Sequence, residues 1–292
     1  MPPLIQCVPN FSEGRDPHVI KAIVDAVRAV SFVRLADYSS DLDHNRLVVT
    51  FVGPPAPVLD ACRAACAVAV ERLNLTRQVG VHPRLGVLDV LPLVPLADIT
   101  LDECAVLARE LGADLARAHH LPIFLYEAAS PGHHSLPFVR KEAWHALAPD
   151  FGPPAPHPTA GSAVVGAREP LIAFNVNLAA PDPRIARRIA REVREGGGAG
   201  FQGVRALGLT LASRAQTQVS MNITLPRQTS LIGLTAYIQR RAGELGTETT
   251  GAEVIGALPG FAAADTLGEA LHTRLHPGQI LWETNDDTPT NL

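Results

Sequence analysis

The sequence lacks the features that mark nucleic-acid-binding and membrane-spanning proteins. Its 25 Lys and Arg residues against 29 Asp and Glu residues give a net charge of −4, whereas a nucleic-acid interface requires a clustered basic excess. No uninterrupted apolar run reaches the roughly 18 residues of a transmembrane helix, and no basic and apolar leader opens the chain. We therefore expect a soluble, cytoplasmic protein that has neither a nucleic acid nor a membrane as its partner.

Cysteine is scarce, and its spacing argues against a metal site or a disulfide framework. The four thiols belong to Cys7, Cys62, Cys66 and Cys104, without a C-x-x-C pair or two histidines at ligand spacing beside them. We expect buried free thiols in a reducing compartment, and no metal. A phosphate-binding loop, a dinucleotide fingerprint and a nucleophile elbow are also missing from the sequence.

The hydrophobic pattern predicts alternating strands and helices in two related halves. In the second half the order is strand, helix, strand, strand, helix, strand, over residues 171–178, 182–194, 204–211, 216–223, 229–245 and 248–255. The first half repeats much of that order. We therefore predict an α+β fold, an α/β sandwich of two βαββαβ subdomains (residues 1–170 and 171–292), each a mixed sheet covered by helices.

Two stretches read as irregular. Residues 37–45 form a polar loop by composition, and residues 127–163 are rich in proline, glycine and histidine, with one predicted helix at about 136–147. Residues 150–161 carry almost no regular-structure signal, and long irregular segments of compact domains are either functional or linkers. Their prolines would stiffen them, so they could shape the wall of a pocket.

The stretch from Val79 to Asp89 is the first candidate site. His82 lies between Gly80 and Gly86 and is followed by Pro83 and Arg84. Proline restricts the preceding residue to extended conformations, and the glycines permit backbone angles that other residues avoid. These restraints would hold the His82 side chain in one defined direction on a loop. The alternative is a turn in which His82 and Arg84 are simply solvated, because that turn would show the same local pattern.

Other polar groups cluster near the predicted strand ends. Four precede a strand directly (Asp43, His44, Asn45 and Arg46), and a second set comprises Arg168, Asn175, Asn177, Gln218 and Asn222. Because side chains alternate along a strand, Gln218 and Asn222 share one sheet face with Ser220. A solvated loop explains the first set equally well, and an exposed antiparallel face explains the second.

No serine or cysteine nucleophile is evident, so the chemistry points to histidine. A histidine titrating near neutrality can carry protons, while Arg, Asn and Gln can hold a polar, anionic, amide-bearing ligand.

At these residues the chain resembles the formiminotransferase family, in order and over nearly its whole length. The matching stretches are C-V-P-N-F-S-E-G-R at Cys7, D-H-N-R at Asp43, H-P-R-L-G-V-L-D-V at His82, P-D-F-G-P at Pro149, L-I-A-F-N-V-N-L at Leu171 and Q-V-S-M-N at Gln218. Departures occur at residues 251–253, where Gly-Ser-Glu is more usual than Gly-Ala-Glu, around His133, and in the C-terminal tail.

The resemblance implies transfer of a formimino group between N5 of tetrahydrofolate and the α-amine of L-glutamate. It further implies two α/β subdomains, a homodimer, tetrahydrofolate as co-substrate in a groove between the subdomains, and His82 as the catalytic base. Folate contacts carry over to the segment that holds Gly152, Pro153, Pro154 and Gly161. Our own inference is that Arg46, Arg84 or Arg168 holds the glutamate carboxylates.

Two alternatives stay open. A formyl donor differs from a formimino donor only by oxygen in place of NH, and a folate-binding protein without activity could retain the same pocket. The bifunctional relatives continue into a cyclodeaminase domain where this chain ends, so we expect that second activity to be absent.

Overall fold

The computed structural model describes residues 2–275, which form two β-sheets with helices packed over them. The strands are β1 (Leu4–Cys7), β2 (Asn10–Phe11), β3 (Arg34–Asp41), β4 (Arg46–Gly53), β5 (Leu88–Ala97), β6 (Ile123–Glu127), β7 (Ala163–Ala167), β8 (Ile172–Leu178), β9 (Val204–Leu211), β10 (Gln216–Ile223) and β11 (Thr249–Ile255). The helices are α1 (Pro17–Arg28), α2 (Pro55–Arg72), α3 (Leu101–His119), α4 (Leu136–Glu142), α5 (Pro183–Val193), α6 (Leu231–Glu244) and α7 (Gly260–Ala270).

The first sheet is mixed and contains strands β1 to β7. Both β1 and β2 lie between β4 and β5, so they act as one interrupted strand, and β3 pairs with the other side of β4. This part has the βαββαβ connection predicted from the sequence. Strands β7 and β6 then extend the sheet beyond β5, and both new pairings are parallel.

The second sheet repeats the same core without the extension. Its order is β11-β8-β10-β9, and every neighbouring pair is antiparallel. The two related subdomain cores are therefore present, but only the first sheet is mixed, because the parallel strands β7 and β6 have no counterpart in the second.

Each sheet buries one face under helices. Helices α1, α2 and α3 cover the first sheet, and the four cysteines are free and buried in that part of the protein. Helices α5, α6 and α7 cover the second sheet through the alternate positions Phe174, Val176, Val219 and Met221. Within residues 2–275, no helix is long and apolar enough to cross a membrane.

Three local predictions were wrong, each for a physical reason. Residues 37–41 belong to β3, whose side chains alternate between half-buried and exposed, so a polar edge strand resembled a loop. Strand β7 is only five residues long and follows the irregular segment, where its apolar run went unassigned. Helix α4 stops at Glu142, short of residue 147, and the chain then forms a turn in which Trp144 has a φ of 68°.

Candidate functional site

The loop before β5 holds His82 in a defined tautomer. The Nδ1 atom of the half-buried ring lies 2.8 Å from the carbonyl oxygen of Pro83. Because a carbonyl can only accept a hydrogen bond, Nδ1 of the neutral ring carries the proton, and Nε2 presents its lone pair. The loop thus offers a base at Nε2.

Arg84 fixes this loop to the turn before β4. Its guanidinium donates to the carbonyl oxygens of His44 at 2.7 Å, Asn45 at 3.3 Å and His82 at 3.4 Å. The amide of Val81 also donates to the carbonyl of Asp43 at 3.0 Å. Arg84 is therefore a brace between two backbone segments, with its donors directed at peptide carbonyls.

The turn from Asp43 to Arg46 is not a solvated loop. His44, Asn45 and Arg46 are all buried, and Asn45 adopts a φ of 46°, which asparagine tolerates better than most residues. The Asn45 side chain accepts from the Gly14 amide at 2.9 Å and donates to Gln78 at 2.6 Å. These bonds place His44 beside His82, with their ring centroids 6.0 Å apart.

Behind His82 lies a buried group of three charges. Arg46 donates to Asp89 Oδ2 at 2.8 Å, and Arg140 of α4 donates to the same oxygen. The other carboxylate oxygen accepts from the Leu85 amide at 2.7 Å, and Arg46 also donates to Asn10. We call Arg46, Asp89 and Arg140 the charge cluster; it carries one excess positive charge.

This environment shifts several pKa values. Asp89 has no exposed surface, yet the charges of Arg140 and Arg46 outweigh its burial and hold its pKa at about 2. Burial lowers the pKa of Arg46 to about 10. Burial, reinforced by Arg46 and Arg140, keeps the pKa of His82 well below its usual range. Near pH 7 the His82 ring is thus neutral with a free lone pair at Nε2, but in the absence of substrate it is a weaker base than the histidine titrating near neutrality that we expected from the sequence.

The second sheet presents amides on the face that its helices leave uncovered. Asn175, Asn177 and Gln218 are buried there, and the Gln218 amide donates to Asn177 Oδ1 at 2.9 Å. We call these three residues the amide face. Its burial excludes the simple exposed face, and the predicted member Asn222 remains exposed near the far end of β10.

The amide face lies against the first sheet. Asn177 donates to Glu253, and Arg214 links Glu253 at 3.0 Å to Asp41 at 3.3 Å. The Ser213 amide donates to Asp43 Oδ1 at 3.0 Å, and its hydroxyl donates to the other carboxylate oxygen. We call this contact between the sheets the intersheet interface, and it borders the loop of His82.

Several buried polar atoms in or near these groups have no hydrogen-bond partner. Within the described residues, four buried side-chain atoms lack a hydrogen-bond partner, namely His44 Nε2, Thr50 Oγ1, Arg140 Nε and Gln218 Oε1. Thr50 packs under Gly256 of the second sheet, and the other three belong to or adjoin the groups described above. Since buried polar groups are normally satisfied, such unpartnered atoms are typical of a site that holds a polar ligand.

The predicted folate segment follows the edge at which the parallel strands begin. Gly161 precedes β7 and pairs with Gly86 next to the His82 loop. Gly152 follows Phe151, which pairs with the outer side of β6, so three strand spacings, roughly 14 Å, separate it from the line of β5 on which Gly86 lies. Pro153, with Gly152, borders a surface cleft at the end of α3, and Pro154 follows. The structure thus brings Gly161, but not Gly152, Pro153 or Pro154, next to the His82 loop.

Arg168 and Arg140 show how sequence order misled the site prediction. Arg168 follows the last residue of β7, and its amide donates to the carbonyl oxygen of Leu93 in β5. It therefore lies at the carboxyl end of these strands, whereas His82 lies at their amino end. Arg140 was not predicted, although it contacts Asp89 directly. The sequence predicted the helix that carries Arg140, but nothing local connects α4 to β5.

The described residues contain no group of three or more His, Cys, Asp or Glu side chains arranged to hold a metal ion.

Comparison with known proteins gives a consistent family. The model of the formiminotransferase domain's N-terminal subdomain matches residues 4–168, and the formiminotransferase domain model matches residues 173–267. The chain is 39% identical to a glutamate formimidoyltransferase of Streptococcus pyogenes serotype M1, over 91% of this chain and 92% of the relative. It is 35% identical to the glutamate formimidoyltransferase of Thermoplasma acidophilum, over 90% of each chain.

A third relative is longer. The chain is 38% identical to the formimidoyltransferase-cyclodeaminase of Sus scrofa, over 91% of this chain but only 52% of that protein. The alignments and the two family models lead to a single conclusion: the chain belongs to the formiminotransferase family and is a transferase.

Proposed function

We propose that this protein transfers a formimino group between N5 of tetrahydrofolate and the α-amine of L-glutamate, with His82 as the general base and acid. The observation that carries the proposal is the neutral His82 ring, whose Nδ1–H is tied to Pro83 and whose Nε2 is the remaining acceptor. The names of the relatives supply the reaction class, and His82 supplies the group that the reaction needs.

The chemistry requires a proton carrier between two nitrogens. The α-ammonium of glutamate cannot attack carbon until it loses a proton, which Nε2 of His82 accepts. The free amine then forms a bond to the formimino carbon, the bond from that carbon to N5 breaks, and the imidazolium returns a proton to N5. Such general acid–base catalysis contributes about 10²–10⁴-fold to the rate.

The interface between the sheets supports the placement of both substrates. The amide face offers Gln218 Oε1 as a buried acceptor without a partner. Amide dipoles held in place can orient a substrate that develops charge on nitrogen. We propose that the folate ring binds along the intersheet interface and that Gly161 forms the edge of its site, while Gly152, Pro153 and Pro154 contact the folate farther from His82.

The test is an assay of the purified protein with L-glutamate and each of two donors, 5-formimidoyl- and 5-formyltetrahydrofolate. Mass spectrometry of the amino-acid product separates N-formimidoyl- from N-formylglutamate. We expect transfer from the formimino donor at the higher kcat/KM. A preference for the formyl donor would support a formyltransferase instead, and folate binding without product from either donor would support a non-catalytic protein.

A further inference from the structure

The charge cluster pairs two buried guanidiniums with a single carboxylate, which leaves one positive charge in excess within the cluster. Arg46 and Arg140 both donate to Asp89 Oδ2, and the second oxygen of that carboxylate is used by the Leu85 amide. Two guanidiniums therefore share one carboxylate. Buried charges are normally paired, so a surplus cation at this depth favours an anionic ligand.

The donors of the cluster are not exhausted by Asp89. The Nε atom of Arg140 is buried and has no acceptor, and the side chains of Arg140 and Arg46 keep 17% and 10% of their surface exposed. A guanidinium has five N–H donors in a planar fork that matches a carboxylate. The cluster thus combines spare donors, surplus charge and a limited opening to solvent.

The other two arginines near the site are less suited to this role. Arg84 directs its guanidinium at three backbone carbonyls, so binding an anion would release the brace of the His82 loop. Arg168 lies beyond the far end of β7, and five residues of strand span roughly 16 Å. Neither can hold a substrate next to His82 in this arrangement.

We propose that Arg46 and Arg140 bind a carboxylate of the amino-acid acceptor, and that Arg140 is a specificity-determining residue for an acidic acceptor. The assignment rests on the proposed function for the identity of the acceptor. The anion-binding role itself rests only on the cluster.

This site also links acceptor binding to the base. In the free protein the two guanidiniums contribute to the low pKa of His82. A bound carboxylate cancels part of their field, so the pKa of His82 rises when the acceptor is present. The ring then holds the proton that it takes from the ammonium long enough to deliver it to N5.

The experiment compares Arg140→Gln with Lys141→Gln, a neighbouring substitution on the same helix at an exposed side chain. Isothermal titration with glutarate, a dicarboxylate without an amine, measures anion binding without catalysis. We expect Arg140→Gln to raise the Kd for glutarate and the KM for L-glutamate, each at least about tenfold. The KM for the folate donor should change less. Arg140→Lys should restore part of both, and Lys141→Gln should match the wild type.

NMR of the His82 ring supplies a readout that a purely structural role of Arg140 would not reproduce. Glutarate should raise the pKa of His82 in the wild type. In Arg140→Gln the pKa should already be higher without ligand, since one cation is gone, and glutarate should change it less. A folded Arg140→Gln protein, checked by circular dichroism, with unaltered glutarate affinity and glutamate KM overturns the proposal.

The design separates this proposal from the proposed function. If no donor yields transfer but glutarate binding still depends on Arg140, the anion-binding role of Arg140 is supported and the proposed reaction is contradicted. If transfer occurs normally and Arg140→Gln changes neither KM nor glutarate binding, the reaction stands and the anion site is wrong. Replacing L-glutamate by L-glutamine or by γ-aminobutyrate in the kinetic assay shows which carboxylate is bound: the analogue that lacks it becomes insensitive to Arg140→Gln.

Discussion

The two sheets share a βαββαβ core but contribute opposite kinds of chemistry to the interface between them. The first places a buried charge cluster there, and the second places neutral amides. The difference follows from the extension of the first sheet: β6 and β7 create a surface on which α4 can pack, and α4 carries Arg140 to Asp89. The two added strands thus account for Arg140, the second cation of the cluster, whereas Arg46 and Asp89 belong to the shared core.

The largest expected effect comes from breaking the charged side. Asp89→Asn removes the only carboxylate that balances Arg46 and Arg140 within the cluster, and breaking a buried ion pair in this way costs about 3–5 kcal/mol. The free energy of unfolding in denaturant measures the loss. Asp60→Asn, at an exposed aspartate paired with Arg63, is the matched control and should cost below about 1 kcal/mol. A loss that small for Asp89→Asn would show that the cluster contributes little to folding.

The next effect concerns catalysis on the same side. His82→Ala should leave the fold intact and lower kcat at least about 10²-fold, because the proton of the ammonium then has no acceptor in the site. His18→Ala, at an exposed position of α1, is the control. Near-normal turnover by His82→Ala would falsify the role of His82 as proton carrier and would direct attention to His44.

Acid provides a reversible way to remove the negative charge of Asp89 and leave the two guanidiniums without a counter-charge. The pKa of Asp89 is about 2 in the folded protein, below the value near 3.9 of an unfolded chain. The ionised carboxylate therefore stabilises the fold above about pH 4, and this stabilisation, about 2 kcal/mol, is lost as the pH falls from about 4 to about 2. Unfolding curves across that range should show a steeper decline for the wild type than for Asp89→Asn; equal slopes would exclude Asp89 as the cause.

The smallest effect is expected on the amide side. Gln218→Leu removes the bond to Asn177 but also removes the unpartnered Oε1 atom, so the loss of stability should be about 1 kcal/mol. Ser220→Ala, one residue further along the same face, is the control. If Gln218→Leu lowered the free energy of unfolding as much as Asp89→Asn, the proposed contrast between the charge cluster and the amide face would be wrong.

Much of this arrangement could be predicted from the sequence, and the exceptions have a common cause. The helices and most strands follow from local periodicity. The glycines around His82 were predicted to matter for unusual backbone angles, but neither Gly80 nor Gly86 has a positive φ, and the structure needs them for close main-chain packing instead. Arg140 was missed because it lies 51 residues from the carboxylate it contacts, on a short helix after an irregular segment. Conversely, Arg168 was grouped with Asn175 because the two are close in sequence. In the structure the whole length of β7 separates Arg168 from the loop of His82.

The glycines beside the catalytic loop have a consequence for how the protein can diverge. A β-carbon at Gly80 would lie 2.3 Å from the carbonyl oxygen of His44, and one at Gly161 would lie 2.3 Å from that of Leu85. The main chain of a neighbouring segment therefore packs closely against both glycines, and the side chains of Arg84 and Leu75 approach the same two positions. These two positions therefore admit no larger residue unless the loop that carries His82 moves. The position of the catalytic loop thus depends on the absence of a side chain at Gly80 and at Gly161.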